Sequence, residues 1–245
     1  MRIQEGGRGE PLLLLLHGLG ATSDVWEGWR PILARRWPGR WIAPDLPGHG
    51  GSPPLPTYTF DAYADAIARI LPAGVDLTVL GHSLGGVIGL TLASGQFDLR
   101  VRKAIGLGIK IAWTQEELDR AAGFANRPTA WFDTKAEAAT RYLRVAGLSG
   151  LLPEDDPAVD AGVRQQDGQW RLAFDPRTFA VGAPGLPRRL AAISVPVVLA
   201  RGQLDPMNSD QQLDDLGVQA VTLPGLHHNA HVENPELCSE ILESP

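Results

Sequence analysis

Short apolar runs alternate with longer amphipathic stretches along this chain, and no other feature of the sequence constrains the fold as tightly. A strand covered on both faces reads as an unbroken apolar run, whereas a helix packed on a sheet shows apolar residues at three- and four-residue spacing. The runs Pro11–Leu16, Trp41–Pro44, Leu77–Leu80, Val101–Leu107, Val195–Arg201 and Ala220–Leu223 are predicted strands, with Met1–Gln4 as an added edge. Helices are predicted over Val25–Arg36, Phe60–Leu71, Leu84–Ser94 and Pro235–Glu243. The last has Asn234 as N-cap and Pro235 at the first helical position. The expectation is an α/β fold with a mostly parallel central sheet and helices on both faces.

Between Lys110 and Ala192 the rhythm breaks. No strand is expected there, and the helix-like stretches Gln115–Phe124 and Lys135–Ala146 are interrupted by prolines such as Pro128, Pro153 and Pro157. The sheet pattern resumes at Val195. Residues 1–110 and 193–245 therefore read as one core, and 111–192 as a helical insertion lying over it. At 245 residues the chain has room for one large domain of this kind.

Chemistry enters at Gly81-His82-Ser83-Leu84-Gly85. Glycine makes up 28 of the 245 residues, so a G-x-S-x-G alone says little. Its surroundings say more. A buried-strand run precedes it and a helical run follows, while Gly86 and Gly89 remove side chains where that helix must approach the sheet. A serine on such a turn projects its hydroxyl above the strand ends, with helix N–H groups beside it. The hydroxyl needs a base, normally an oriented imidazole. Of six histidines, His227, His228 and His231 share one loop between the last strand and the last helix. Asp205 is the first acid after the Val195–Arg201 strand, which gives the order Ser, Asp, His. For an oxyanion, Leu84 supplies the N–H after the serine, and Leu19 supplies one from the glycine-rich loop after an early strand.

Five landmarks in order carry a resemblance: His17-Gly18-Leu19-Gly20, the Pro44–Ser52 turn, Gly81–Gly86, the Gly202–Asp205 turn, and the loop from Gly225 to Pro235. Over essentially its whole length the chain resembles the α/β-hydrolase superfamily, in its serine-nucleophile, cap-bearing esterase and lactonase branch. The resemblance implies a helical cap at residues 111–192 and a Ser-His-Asp triad. In the superfamily's pattern a Glu follows the catalytic His by five residues and a Pro by seven. Glu233 and Pro235 then select His228 and leave His227 where glycine is usual. The implied triad is Ser83, His228 and Asp205. His17 and His49 resemble turn residues bonded to backbone, and His82 flanks the nucleophile.

The function expected is hydrolysis of a carboxylic ester or related acyl compound through an acyl-enzyme. Enol-lactone hydrolysis, carbon–carbon cleavage of a diketone, and ligand sensing by an intact triad are the alternatives. His82, Trp113, Trp131, Phe132 and His227 are expected to line the pocket. Arg127, Arg141, Arg144 and Arg164 could meet a substrate carboxylate, although solvated surface is their ordinary fate. No metal or cofactor is expected, since this chemistry needs none. The net charge of −6 and the lack of a basic stripe argue against nucleic acid or an anionic membrane as partner, leaving a small molecule. The first ten residues hold no apolar stretch suited to a secretion signal, and a single cysteine, Cys238, makes an intrachain disulfide impossible. A reducing cytoplasm is the expected compartment.

Overall fold

In the computed structural model, which describes residues 1–244, five consecutive leucines occupy the middle of the sheet. Leu12–Leu16 form β2, and all five are buried. Side chains alternate along a strand, so Leu13 and Leu15 join the core on one face while Leu12, Leu14 and Leu16 join the core on the other. Burying each leucine contributes roughly 1.5–3 kcal/mol. Truncating one to alanine in so closed a place costs about 2–5 kcal/mol.

Around β2 stand β1 (Ile3–Gly6), β3 (Arg40–Pro44), β4 (Asp76–His82) and β5 (Arg100–Leu107). After β5 the chain leaves the sheet, forms a separate hairpin of β6 (Val163–Gln166) and β7 (Gln169–Leu172), and returns as β8 (Val197–Gly202) and β9 (Gln219–Leu223). Across the main sheet the order is β1-β3-β2-β4-β5-β8-β9. Every adjacent pair is parallel except β1 with β3.

Both faces of the sheet are covered. On one lie Trp26 and Trp29 of a 3-10 turn that runs into α1 (Arg30–Arg36), together with Cys238 and Ile241 near the C-terminus. On the other lie α2 (Phe60–Ala68) and α3 (Leu84–Leu92), whose residues pack on the even-numbered leucines. The helix expected over Val25–Arg36 is thus divided. Pro31 sits in the first turn of α1, where its missing N–H is no loss. Asn234 caps the helix Pro235–Ser239 by accepting from the N–H of Leu237, and the Cys238 thiol, fully buried, has its pKa pushed upward by that burial.

The segment between β5 and β8 corrects one expectation. It carries α4 (Gln115–Ala125) and α5 (Lys135–Val145), each started by a Thr–Glu capping box, but it is not free of strands. Asp167 and Gly168 both have positive φ, 52° and 83°, and close the β6–β7 hairpin. Those strands are short and largely polar, so their alternation is faint. The Asp-Gly pair was the available signal. Among the described residues no helix is long and apolar enough to cross a membrane.

Candidate active site

The turn from β4 into α3 forces Ser83 into φ 50°, ψ −113°, a conformation that L-residues adopt at a cost of about 1–3 kcal/mol. Its neighbours hold it there. The Ser83 N–H donates to the Leu107 carbonyl at 2.8 Å, and the Ser83 carbonyl accepts from the N–H of Gly86 at 3.0 Å. A side chain on Gly81 would begin 2.1 Å from the Gly85 carbonyl oxygen, so β4 and α3 meet this closely only without one. Gly89 works likewise further along α3, where a Cβ would meet Val79 at 2.8 Å.

Beside this turn runs the loop after β2. His17 accepts the N–H of Leu46 at Nε2, 2.8 Å away, so its proton is on Nδ1, which donates to the Gly18 carbonyl at 2.8 Å. Burial lowers the His17 pKa and keeps the ring in this neutral form. In a trans peptide the C=O and N–H point in opposite directions. Anchoring the Gly18 carbonyl on His17 therefore turns the Leu19 N–H the other way. Leu19 and Leu84 border the same cavity as Ser83, and among the described residues neither N–H meets a protein acceptor.

Asp205 follows β8 in a tight turn, its N–H donating to Gly202 at 3.0 Å. The carboxylate is shut off from solvent. Its Oδ1 accepts from the Met207 N–H at 2.9 Å, and its Oδ2 stands 2.9 Å from Nδ1 of His228. Burial pushes its pKa upward, but the His228 contact, the Met207 N–H and the charge of Arg201 outweigh burial and hold it below the usual carboxylate value. Asp210, the next acid, is exposed and paired with Arg201.

His228 and Ser83 border one cavity of about 470 Å3. Behind them lies His82, whose Nε2 donates to the His228 carbonyl at 2.9 Å and whose ring centroid is 4.7 Å from that of His228. Burial, and then the neighbouring His231 and His228, drive the His82 pKa well below its ordinary value. His231 is buried between Trp26 and His82, with ring centroids at 4.6 and 4.3 Å.

Of the residues expected to line the pocket, His82 and Trp113 border these cavities. The other three do not, and that expectation is corrected. Trp131 lies in a separate surface depression with Arg164 and Arg171. Phe132 exchanges backbone hydrogen bonds with Trp170, both at 2.8 Å, and packs against the core. His227 is exposed and turned outward, because Glu233 takes both its backbone N–H, at 2.7 Å, and its Nδ1, at 2.9 Å.

Three supporting residues escaped the sequence reading. Gly108 (φ 63°) sits against His228, where a Cβ would come within 3.2 Å of Nδ1. Asn229 donates to the carbonyls of Ala146 and Gly147, tying the histidine loop to the end of α5. Asn208 bridges the aspartate loop to the exit of β5 through the Ile109 carbonyl and the Ile111 N–H. All three are loop residues whose partners are distant in sequence, so no local pattern marks them.

Comparison with known proteins identifies the family to which the chain belongs. Residues 13–241 match the model of the Alpha/beta hydrolase family. The chain is 27% identical to a pimeloyl-(acyl-carrier protein) methyl ester esterase of Aeromonas hydrophila, with 98% of this chain and 97% of that one aligned. A Mycobacterium tuberculosis protein of uncharacterized function is 41% identical over 87 residues, a match spanning only 25% of that relative's length. Among solved structures, an E-2-(acetamidomethylene)succinate hydrolase superposes with a TM-score of 0.81 at 27% identity, covering 98% of this chain and 92% of that one. A thioesterase domain from the curacin biosynthetic pathway superposes with a TM-score of 0.79 at 21% identity over 99% and 94% of the two chains, a likeness of fold. The chain belongs to the alpha/beta hydrolase family.

Proposed function

We propose that this hydrolase cleaves a carboxylic ester or related acyl compound through an acyl-enzyme on Ser83. One observation carries the reading: an imidazole fixed by a buried carboxylate, His228 on Asp205 at 2.9 Å, borders the cavity onto which the strained Ser83 turn opens. In this scheme Nε2 of His228 takes the Ser83 proton as Oγ attacks the carbonyl carbon. Asp205 holds the tautomer and stabilises the imidazolium. The N–H groups of Leu19 and Leu84 bind the oxyanion. As the tetrahedral intermediate collapses, the imidazolium returns its proton to the leaving oxygen, and water activated by His228 then releases the acid.

Residues 111–192 act as the cap. Their contributions to the cavity walls, among them Trp113, Leu118 and Phe179, support that role. The esterase and hydrolase names of the two full-length relatives favour the same chemistry. A panel of aryl esters, lactones and diketones tested against wild type and Ser83→Ala checks it. Turnover of an ester by wild type, lowered about 10⁴-fold in the variant, is expected. Equal turnover by both proteins would overturn the proposal.

A further inference from the structure

Two cavities meet at Ser83, and they differ in chemistry. The first, about 360 Å3, is walled by apolar side chains including Phe60, Leu84, Val87, Ile109, Leu118 and Val181. Its charged lining residues, Lys110 and Asp119, carry opposite signs. The second, about 470 Å3, also has apolar walls but admits three cations, Lys110, Arg120 and Arg144, against one carboxylate, Glu117. Glu117 is committed to Lys110, and Arg120 reaches Glu116 at 2.7 Å outside the cavity. Arg144, an exposed residue next to Val145 at the end of α5, also borders this cavity, and among the described residues its guanidinium has no hydrogen bond or ion pair.

His228 decides which part of a substrate each cavity takes, a step that rests on the serine-hydrolase reading above. Collapse of the tetrahedral intermediate breaks the bond from carbon to the leaving oxygen, and that oxygen takes the proton held on Nε2 of His228. The leaving group must therefore lie on the histidine side, which leaves the other cavity at Ser83 for the acyl chain. His228 borders the second cavity and not the first; Leu84 borders the first and not the second. We infer that the substrate joins an apolar acyl group to a leaving alcohol that carries a negative charge, with Arg144 as the residue that selects the charge.

The physical reason is desolvation on one side and pairing on the other. An acyl carboxylate in the first cavity would lose water without finding a free cation. An anionic leaving group in the second would meet an unpaired, planar guanidinium suited to carboxylate or phosphate oxygens.

The test uses hexanoate esters of a nitrophenol bearing a carboxylate and of the same nitrophenol bearing a carboxamide, with wild type and Arg144→Gln. Comparing the two proteins cancels the intrinsic reactivity of each ester. The ratio of kcat/KM for the carboxylate ester over the carboxamide ester should fall about tenfold in Arg144→Gln, as expected for losing a charged hydrogen bond. Moving the carboxylate to the far end of the acyl chain should lower kcat/KM in wild type by tenfold or more. An unchanged ratio, or preference for the acyl-side carboxylate, would overturn the inference. Calorimetric binding of the same esters to Ser83→Ala, and to Ser83→Ala carrying Arg144→Gln, reads the charge preference without turnover. A wrong nucleophile would show separately, as full turnover by Ser83→Ala.

Discussion

Nδ1 of His228 lies 2.9 Å from Oδ2 of Asp205, and the two residues come from loops 23 positions apart that follow β8 and β9. In the proposed mechanism this contact orients the imidazole and leaves its other nitrogen to act as base. Asparagine at position 205 would keep the shape but could donate to Nδ1 and favour the wrong tautomer. Asp205→Asn should lower kcat on an ester by roughly 10³- to 10⁴-fold with KM little changed. Steady-state kinetics check this, and near-normal kcat would remove Asp205 from the mechanism.

The two adjacent histidines should separate cleanly. His228→Ala should match Ser83→Ala in lost activity, and the double variant should lose little more, because the residues act as a unit. His227→Ala removes only an exposed ring paired with Glu233, so kcat and KM should both stay within about threefold of wild type. A dead His227→Ala beside an active His228→Ala would contradict the geometry of this loop.

His17 never touches substrate in this account, yet it aims the Leu19 N–H by holding the Gly18 carbonyl. His17→Phe should lower kcat by about 10²- to 10³-fold, the loss expected of one oxyanion donor, with KM changing far less. Glutamine can still donate to Gly18 and accept from Leu46, so His17→Gln should recover part of that loss. Equal defects in the two variants, shared between kcat and KM, would mark a packing role alone.

Burial holds four histidines below their ordinary pKa: His17, His82, and His49 and His231, both pushed down to about 3. An unfolded imidazole takes up its proton near pH 6.5. Between roughly pH 6.5 and 3 the unfolded chain therefore binds more protons than the folded one, and stability falls as pH falls. Urea unfolding at about pH 7, 6 and 5 should show this before carboxylates titrate. His231→Phe keeps a ring between Trp26 and His82 but cannot protonate, so it should flatten the slope. An unchanged slope in that variant would exclude His231 from the linkage.

The sheet was legible because its strands are buried on both faces, which leaves unbroken apolar runs such as Leu12–Leu16. Ser83 was legible because the turn around it admits only glycine at Gly81, and its surroundings are consecutive in sequence. Asp205 and His228 could be ranked by their loops, but the contact between them is a product of the fold. The pocket was least legible. Trp131 and Phe132 share the aromatic character of Trp113, and only tertiary packing sends them to a surface depression and to the core. The hairpin at Asp167-Gly168 was hidden by polar strands of four residues each.

Covalent labelling reads the identity of the nucleophile, Ser83 in the proposed mechanism, without need of a substrate. The protein should be treated with a fluorophosphonate and the adduct located by peptide mass spectrometry. One phosphonylated residue is expected, Ser83, formed at a rate that falls by several orders of magnitude in His228→Ala. An adduct on another serine in the wild-type protein, or undiminished labelling of Ser83 without His228, would contradict that mechanism.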